Sequence, residues 1–346
     1  MKETAIVAVY VDDILVISNS QSEIDETKQF LQQQFEMEDM GPVKRFLRMD
    51  ITQERGNIQV SQKDYVESVL QKFGMDRCKP APTPLAAGTK LRISEESEAT
   101  DEDRLLYQCM VGSLMYAATC TRPDIAYAIS ALSRYSHNPG IQYFAAIKHV
   151  MRYLRGTTDY GIVYQAEGES LDMVGYCDSD WAGDEDTRKS TSGFVFRMAG
   201  GAVSWWSRRQ NTVATSSTEA EYVSAALATK EIRWLRQLLA ELQLFFNTEE
   251  FKFNNNTEKP TAGRFPPTKL YCDNNGAVAL SRNPDQSKRL RHIDIAYHLV
   301  REKVEMQEID MIYTSTDEMV ADILTKASTT VKHDKHLAGM GISASR

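Results

Sequence analysis

The sequence predicts an α/β fold for its second half, preceded by an α+β part and a helical part. From about residue 160, short apolar strands are followed by strands that alternate with helices, in the order β-β-β-α-β-α-α-β-α. Before that point, residues 1–85 mix short strands with helices, and residues 101–156 show helical patterns throughout. We therefore expect the second half to form a mixed sheet with helices packed on it.

The composition is that of an ordinary globular protein. The chain has 346 residues, enough for two or three domains, and its 42% apolar and 25% charged residues favour neither disorder nor a membrane protein. No apolar run approaches the ~20 residues of a membrane span, and we expect no signal peptide. Five cysteines without a CxxC pair favour a reducing compartment. We expect an intracellular protein, in the cytoplasm or the nucleus, with no membrane partner.

Two adjacent acids stand out near the start of the chain. The stretch VAVYVDDILVIS, residues 7–18, predicts a hairpin with Asp12 and Asp13 at or near its tip. Acidic residues in turns usually occur beside Gly or Asn, so a purely structural role explains this pair poorly. Metal-dependent nucleotidyl transfer would use both acids, but it needs a further carboxylate, and only nine residues precede Tyr10.

The following elements lead to a predicted domain boundary. Residues 22–36 have helical spacing, and KRFLRMDITQERGNIQVSQ predicts two strands around a Glu-Arg-Gly-Asn turn. The next helix is predicted to have Ser61 as its cap and to end at Gly74. Prolines in the stretch KPAPTPLAAGTK, residues 79–90, then predict an extended linker.

The middle of the chain predicts a structural connector. Pro123 and the Asn-Pro-Gly break at residues 138–140 divide residues 101–156 into three helices. No catalytic constellation is visible there.

The second half begins with strands at GIVYQ and DMVGYCDSDWAG, and SGFVFRMAGGAVSWWSRRQ predicts a hairpin that turns at Gly200-Gly201. A long amphipathic helix follows from STEAEYVS onward, and residues 246–267 predict a mobile polar insertion. TKLYCDNNGAVALS predicts a strand that runs into a helix, HIDIAYHLVREKVEMQ a helix, IDMIYT a strand, and EMVADILTKA a final helix.

Four acids stand at or near the ends of separate elements of this half, namely Asp178, Glu221, Asp273 and Asp322. A folded sheet could bring them together, and such a cluster would repel itself unless cations neutralise it. Oxygen ligands without His or Cys suit Mg²⁺ or Mn²⁺, and two such ions ~3.5–4 Å apart can act on a phosphodiester. The pattern predicts a two-metal phosphodiesterase site.

Each acid also has a structural interpretation. Glu221 with Thr218, or Glu219 with Ser216, matches the helix capping box. Asp178 and Asp273 could form turns, and Asp322 could be a solvated helix residue. Asp180 competes with Asp178, because residues two apart on a strand face the same side.

Several of these motifs are similar to the C-terminal part of Pol polyproteins from copia-type LTR retrotransposons. YVDD at residues 10–13 resembles the active-site box of reverse transcriptases. The similarity covers roughly residues 5–327 and includes MVGSLMYAATCTRPDIAYAISALSRY, KHVMRYLRGTTDYGIVY, DSDWAGDEDTRKSTSGFVF, SSTEAEYVSA, YCDNNGAVAL, RHIDIAYHLVRE and VADILTKA.

The resemblance implies four segments. Residues 1–85 correspond to a partial reverse transcriptase palm and thumb, 86–165 to the helical thumb and connection region, 166–327 to an RNase H-like domain, and 328–346 to a tail. The RNase H-like domain is expected to cleave the RNA strand of RNA/DNA hybrids with two Mg²⁺ or Mn²⁺ ions.

The family's metal-binding acids map onto Asp178, Glu221, Asp273 and Asp322, the same four that the pattern selects.

The chain is acidic overall, with a net charge of −8, but basic clusters could contact nucleic-acid phosphates. We expect that role for Arg188, Lys189, Arg208 and Arg209, whereas residues 288–291 form a further basic run. One of the adjacent Trp205 and Trp206 should face the core.

Departures from the family pattern limit these expectations. Arg48 stands where the family usually has Gly, and residues 311–321 contain no His, so His292 and His298 are interpreted as structural or hybrid-contacting. Relative to the family, we expect the fingers and the first half of the palm to be missing, which would leave Asp12 and Asp13 as two acids of an incomplete polymerase triad. We expect a fragment that cannot synthesise DNA alone.

Two alternatives to the nuclease remain. One is a catalytically inactive nucleic-acid-binding relic, and the other is a glycosidase with paired carboxylates.

Overall fold

The computed structural model describes residues 5–93, 99–166, 168–246, 265–282 and 294–345. These ranges exclude most of the predicted insertion at 246–267, the basic run at 288–291 and His292. The strands are β1 (Ile6–Tyr10), β2 (Asp13–Ile17), β3 (Arg45–Phe46), β4 (Met49–Glu54), β5 (Asn57–Ser61), β6 (Tyr160–Tyr164), β7 (Val174–Asp180), β8 (Thr191–Met198), β9 (Gly201–Arg209), β10 (Thr268–Cys272), β11 (Ile309–Tyr313) and β12 (Ile342–Ala344). The α-helices are α1 (Gln21–Gln34), α2 (Lys63–Lys72), α3 (Asp101–Cys120), α4 (Ala126–Ser133), α5 (Ile141–Gly156), α6 (Ser217–Phe246), α7 (Asn275–Arg282), α8 (Asp294–Glu305) and α9 (Thr330–Gly339).

The large sheet has the order β11-β10-β7-β8-β9. Strands β7, β8 and β9 form an antiparallel meander, and β10 pairs in parallel with both β7 and β11. Helix α6 packs on β7 and β8, and α7 and α8 lie beside it. This is the mixed sheet with flanking helices that the sequence predicts, and the α/β class is confirmed.

A second five-stranded sheet joins distant parts of the chain in the order β12-β6-β5-β4-β3. Ile58 of β5 pairs with Tyr164 of β6, and Ile342 of β12 pairs with Ile162 of the same strand. The sheet therefore combines strands from three of the four segments proposed above. Those segments remain a proposal about domain organisation.

The connector helices share one core with the face of the large sheet opposite α6. Buried side chains of α2, α3, α4 and α5 join Val195 and Ala202 of the large sheet in a single apolar cluster. A second cluster lies between that sheet and α6 to α8, and contains Phe194, Phe196 and Tyr222. The connector thus covers one face of the sheet that carries the candidate acids.

The first hairpin is confirmed, with Asp12 in the turn and Asp13 as the first residue of β2. It packs against α1, and no residue of α1 is buried. The second predicted hairpin turns at Arg55-Gly56, inside the predicted tetrapeptide.

Three local predictions need correction. Ser61 is not the cap of α2, because it pairs within β5, and the helix starts after Gln62. The stretch EMVADILTKA was predicted to be an α-helix, but the structure has a 3₁₀ turn there, Val320–Leu324. All five residues of this turn are buried, so it has no exposed face of the kind that an amphipathic helix presents. Residues 79–90 are not a free linker, since Ala81 donates its N–H to Arg152 of α5 and Leu85 is buried.

The predicted tail is also folded into the protein. Helix α9 and strand β12 place Leu337, Met340 and Ile342 in the core shared with the connector. No element was predicted there. Among the described helices, none is long and apolar enough to cross a membrane.

Candidate active site

Asp178 lies inside β7, where its carboxylate is buried at 2% exposure. The Thr325 hydroxyl donates a hydrogen bond to its Oδ2 atom. Ser224 of α6 donates to the Asp178 carbonyl at 2.8 Å, which ties the long helix to the sheet at this position. Asp178 is therefore held by neighbours from both sides of its strand and does not form a turn.

The capping alternatives for α6 are resolved by its first turn. Ser216 Oγ accepts the N–H of Glu219 at 3.2 Å, and the Glu219 carboxylate accepts from the N–H and hydroxyl of Thr215. Glu219 thus closes the helix start and leaves Glu221 for another role. Glu221 is buried, and its Oε1 accepts the N–H of Ser179 in β7 at 3.3 Å.

Asp273 completes a three-carboxylate group with Asp178 and Glu221. It follows β10 directly, and its Oδ2 accepts a hydrogen bond from the Thr316 hydroxyl at 2.7 Å. One carboxylate oxygen from each of the three acids lies within 4.8 Å of the others. Within the part of the chain that the structure describes, this is the one group of three or more such ligands.

The electrostatic interactions within this group of three carboxylates favour the binding of a cation. Burial, together with the Asp322 carboxylate, raises the pKa of Asp178 to about 7, although Lys326 acts against the shift. Burial raises the pKa of Glu221 well above its ordinary value, and the charge of Asp178 adds to the effect. A divalent ion would relieve both penalties. The ligand set is oxygen only, which fits Mg²⁺ or Mn²⁺.

The fourth acid has a different partner. Asp322 lies in the 3₁₀ turn at 1% exposure, and its Oδ1 is 2.5 Å from the Lys326 ammonium. Its Oδ2 lies 3.5 Å from the Ser328 hydroxyl. Asp322 is close enough to influence Asp178, but it is outside the three-carboxylate group. The structure therefore shows three of the four predicted acids together and the fourth paired with lysine.

The remaining candidate acids lie elsewhere. Asp180 accepts the N–H of Thr191 across the strand pair and is not in the carboxylate group, although burial raises its pKa to about 6. Asp12 and Asp13 are exposed on the first hairpin, and no third acid gathers with them among the described residues. His298 is exposed on α8.

A cavity of about 450 Å³ lies between the connector and the edge strand β9. Its lining includes Arg134, Lys189, Trp205, Trp206, Arg208 and Arg209. Trp205 donates its indole N–H to the Ala118 carbonyl of α3 at 2.7 Å, whereas Trp206 packs on the α6 side of the sheet. The two tryptophans thus face opposite sides, and both are partly buried.

The four predicted basic residues differ in their partners. Arg209 pairs with Asp184 at 2.7 Å, and Arg134 pairs with the same carboxylate oxygen at 3.0 Å. Arg188 and Arg208 are exposed, and Lys189 is half-buried. Over the described ranges, these three have no acidic side chain within ion-pair distance. Within these ranges, the positive charges of Arg188, Lys189 and Arg208 are therefore not neutralised by a close carboxylate.

Sequence reasoning missed Thr325 and Lys326, which directly contact the carboxylates. One signal was present, because Lys326 follows Asp322 by four residues in VADILTKA, the spacing of a helical ion pair. The contact of Thr325 with Asp178 depends on the tertiary approach of two distant segments, and no local pattern predicts that approach.

Sequence comparisons match the chain to reverse transcriptases and to transposon proteins. A family model described as reverse transcriptase (RNA-dependent DNA polymerase) matches residues 2–87. The Pol polyprotein from transposon TNT 1-94 of Nicotiana tabacum is 39% identical over 343 residues, which are 97% of this chain and 24% of that protein. A putative transposon Ty5-1 protein of Saccharomyces cerevisiae is 35% identical over 228 residues, or 65% of this chain and 73% of that protein.

Among solved structures, LC11-RNase H1 in complex with an RNA/DNA hybrid matches at 13% identity with a TM-score of 0.26, over 44% of this chain and 94% of that chain. The observed sheet order and the buried carboxylates define a mixed α/β part with an acidic site, and this part follows the segment that matches the reverse transcriptase model. The chain belongs to the Pol polyproteins of copia-type LTR retrotransposons. It spans about a quarter of the length of the tobacco relative.

Proposed function

We propose that the RNase H-like part cleaves the RNA strand of RNA/DNA hybrids in a reaction that depends on a divalent metal ion. The observation that carries this proposal is the group of Asp178, Glu221 and Asp273, whose oxygens lie within 4.8 Å of one another in a largely buried setting. Membership in the Pol family makes a nucleic-acid substrate the natural choice for such a site.

The residues divide into distinct roles. Asp178, Glu221 and Asp273 would hold Mg²⁺ or Mn²⁺, and the bound metal would supply activation of water and stabilisation of charge on the phosphodiester. Thr325 and Ser224 orient Asp178 through its carboxylate and its carbonyl. Asp322 and Lys326 border the group.

The cavity beside β9 is suited to a nucleic-acid strand. In the cross-strand register, Asp178 pairs with Gly193, which pairs with Ser207 in the lining of the cavity. Adjacent strands lie about 4.8 Å apart, so the backbone of this wall is roughly 10 Å from the backbone at Asp178. Lys189 and Arg208 would contact phosphates there, with Arg188 at the neighbouring turn.

We further infer that the described residues carry no DNA synthesis. Asp12 and Asp13 are exposed, and no third carboxylate accompanies them over the described ranges. Extension of a primer on an RNA template by the purified chain would contradict this inference.

The test of the nuclease uses purified protein and a labelled RNA/DNA hybrid, with Mg²⁺, with Mn²⁺ and with chelator. We expect metal-dependent cleavage of the RNA strand only. Asp178→Asn and Glu221→Gln should each lower the rate by more than about 100-fold, since even outer partners of a metal site are worth about 10–100-fold.

Glu241→Gln provides a matched control, because Glu241 is exposed on the same helix as Glu221. It should keep the parent rate. Hybrid binding without cleavage, from folded protein, would contradict the nuclease and favour an inactive nucleic-acid-binding relic. Hydrolysis of a glycoside without divalent metal would favour the glycosidase alternative.

A further inference from the structure

The ion pair between Lys326 and Asp322 occupies the border of the candidate metal site. Lys326 Nζ lies 2.5 Å from Asp322 Oδ1, and the two side chains are 45% and 1% exposed. A fully buried carboxylate in this position needs a cationic partner. The ammonium supplies that partner from the protein itself.

The same ammonium also faces the three-carboxylate group. Lys326 has attractive electrostatic interactions with Asp178 and Asp273 in addition to Asp322. It is the second residue after the 3₁₀ turn, and the residue between them, Thr325, donates to Asp178. The chain therefore brings a hydroxyl and an ammonium into the acid cluster with two consecutive side chains.

Charge balance limits what else the cluster can bind. The oxygens of Asp178, Glu221 and Asp273 form one ligand set. A second divalent ion would draw on Asp322 together with Asp178, and the ammonium that is 2.5 Å from Asp322 Oδ1 would place a fixed positive charge beside that ion. A lysine ammonium is a compact charge with three donors and no acceptor, so it can neutralise carboxylates but cannot share them with a metal at the same oxygen.

We propose that Lys326 is a built-in monovalent cation that takes the place of a second metal ion. The site then binds one divalent ion on Asp178, Glu221 and Asp273, and Asp322 acts through Lys326 as a positioning residue. This inference rests on the proposed metal-dependent function, and it differs from the two-ion site that the sequence predicts.

The test counts bound Mn²⁺ per chain by electron paramagnetic resonance, without nucleic acid. We expect one ion in the parent protein, two in Lys326→Met, and one in Lys326→Arg, which restores the charge. Lys332→Met is the matched control, since Lys332 has 43% side-chain exposure and pairs with the exposed Asp317 outside the cluster. It should leave the count at one.

Asp322→Asn gives a second measurement in case Lys326→Met does not fold. If Asp322 acts only through Lys326, the variant should keep the affinity for the first Mn²⁺ ion within about threefold. Weakening of that affinity by tenfold or more would show that Asp322 binds the ion directly, and would overturn the proposal.

The outcomes separate this inference from the proposed function. Two ions in the parent protein, or one ion in folded Lys326→Met, would overturn the role of Lys326 and leave a metal-dependent nuclease standing. No bound Mn²⁺ in the parent protein would overturn both.

Discussion

Gly193 of β8 lies directly opposite Asp178 of β7, and a Cβ atom on Gly193 would come within 2.7 Å of the Leu324 Cβ atom. The same Cβ would lie 2.9 Å from the methyl group of Thr325, whose hydroxyl contacts Asp178. The 3₁₀ turn with Asp322 can therefore approach the sheet only because position 193 has no side chain.

Gly193→Ala should displace this turn from the sheet. Overpacking of this kind costs typically about 1–3 kcal/mol, and we expect a loss of that size in the free energy of unfolding by urea. Binding of the first Mn²⁺ ion should weaken in parallel, because Thr325, whose hydroxyl orients Asp178, moves with the turn. Gly112→Ala is the control, since Gly112 has open space around it in α3 and should tolerate the change. Equal stability of the two variants would contradict the prediction.

Arg48 is strained in the tight turn between β3 and β4. Its φ is 57°, and that of Leu47 is 49°, so both residues adopt the left-handed conformation that favours glycine. The resemblance implies Gly at this position, and glycine adopts this conformation without strain. Arg48→Gly should raise the free energy of unfolding by roughly 1 kcal/mol. Thermal and urea unfolding would measure this difference in stability. A loss of stability in Arg48→Gly would contradict backbone strain at Arg48.

The buried pair of Arg122 and Asp124 should be costly to break. Arg122 donates to Asp124 at 2.7 Å and to the Thr157 carbonyl at 2.8 Å, and Tyr153 donates to Asp124 at 2.6 Å. Arg122→Met leaves the carboxylate of Asp124 uncompensated in the core, at an expected cost of about 3–5 kcal/mol in unfolding free energy.

The exposed pair of Arg104 and Asp101 supplies the comparison for that measurement. Arg104→Met should change the stability little, because exposed ion pairs contribute little. If both arginine variants lost the same stability, the buried network would not have the importance assigned to it.

Stability should fall in mild acid because of His333 on α9. Burial lowers the pKa of His333, although Asp124 acts against the shift, and burial also lowers the pKa of His336. Histidine in the unfolded chain titrates near about 6.5. Below that pH the unfolded state takes up protons that the folded state does not, so the free energy of unfolding decreases as the pH falls.

His333→Gln should therefore lose less stability than the parent protein between about pH 7.5 and about pH 5.5. Urea unfolding at the two pH values measures the difference. His137→Gln is the control, because His137 is exposed and should leave the parent pH dependence in place. An unchanged pH dependence in His333→Gln would exclude this histidine as the cause.

The C-terminal strand should contribute to stability like a core element. Ile342 is 2% exposed and belongs to the cluster shared with the connector, whereas Val331 on α9 is 81% exposed. Ile342→Ala should cost about 2–5 kcal/mol, and Val331→Ala should be close to neutral. Comparable unfolding midpoints for the two variants would show that β12 is dispensable.

Local patterns were sufficient to predict most elements of the fold. The hairpin with Asp12 and Asp13, the division of the connector at Pro123, and the strand that ends before Asp273 all follow from residue alternation and turn residues. The pairing of Ile58 with Tyr164 and of Ile162 with Ile342 did not follow, because each partner lies far away in the sequence. Such pairing depends on tertiary contacts rather than on local propensity.

The candidate site was predictable to a similar degree. Asp178, Glu221 and Asp273 could be selected because each acid interrupts an apolar strand or opens a helix, and the structure brings the three together. The capping question around Glu219 and Glu221 could not be decided, since both spacings satisfy the same sequence rule. The ammonium of Lys326 beside Asp322 could not be foreseen as a competitor for a metal ion.

The position of β12 also has a consequence for biosynthesis. Its residues leave the ribosome well after those of β6, with which they pair. Until β12 emerges, β6 presents an open edge, and the apolar surface that Leu337, Met340 and Ile342 later cover remains accessible. The nascent chain therefore passes through a stage in which this surface can be held by a chaperone or pair wrongly with another chain, and the pairing of β12 with β6 ends that stage.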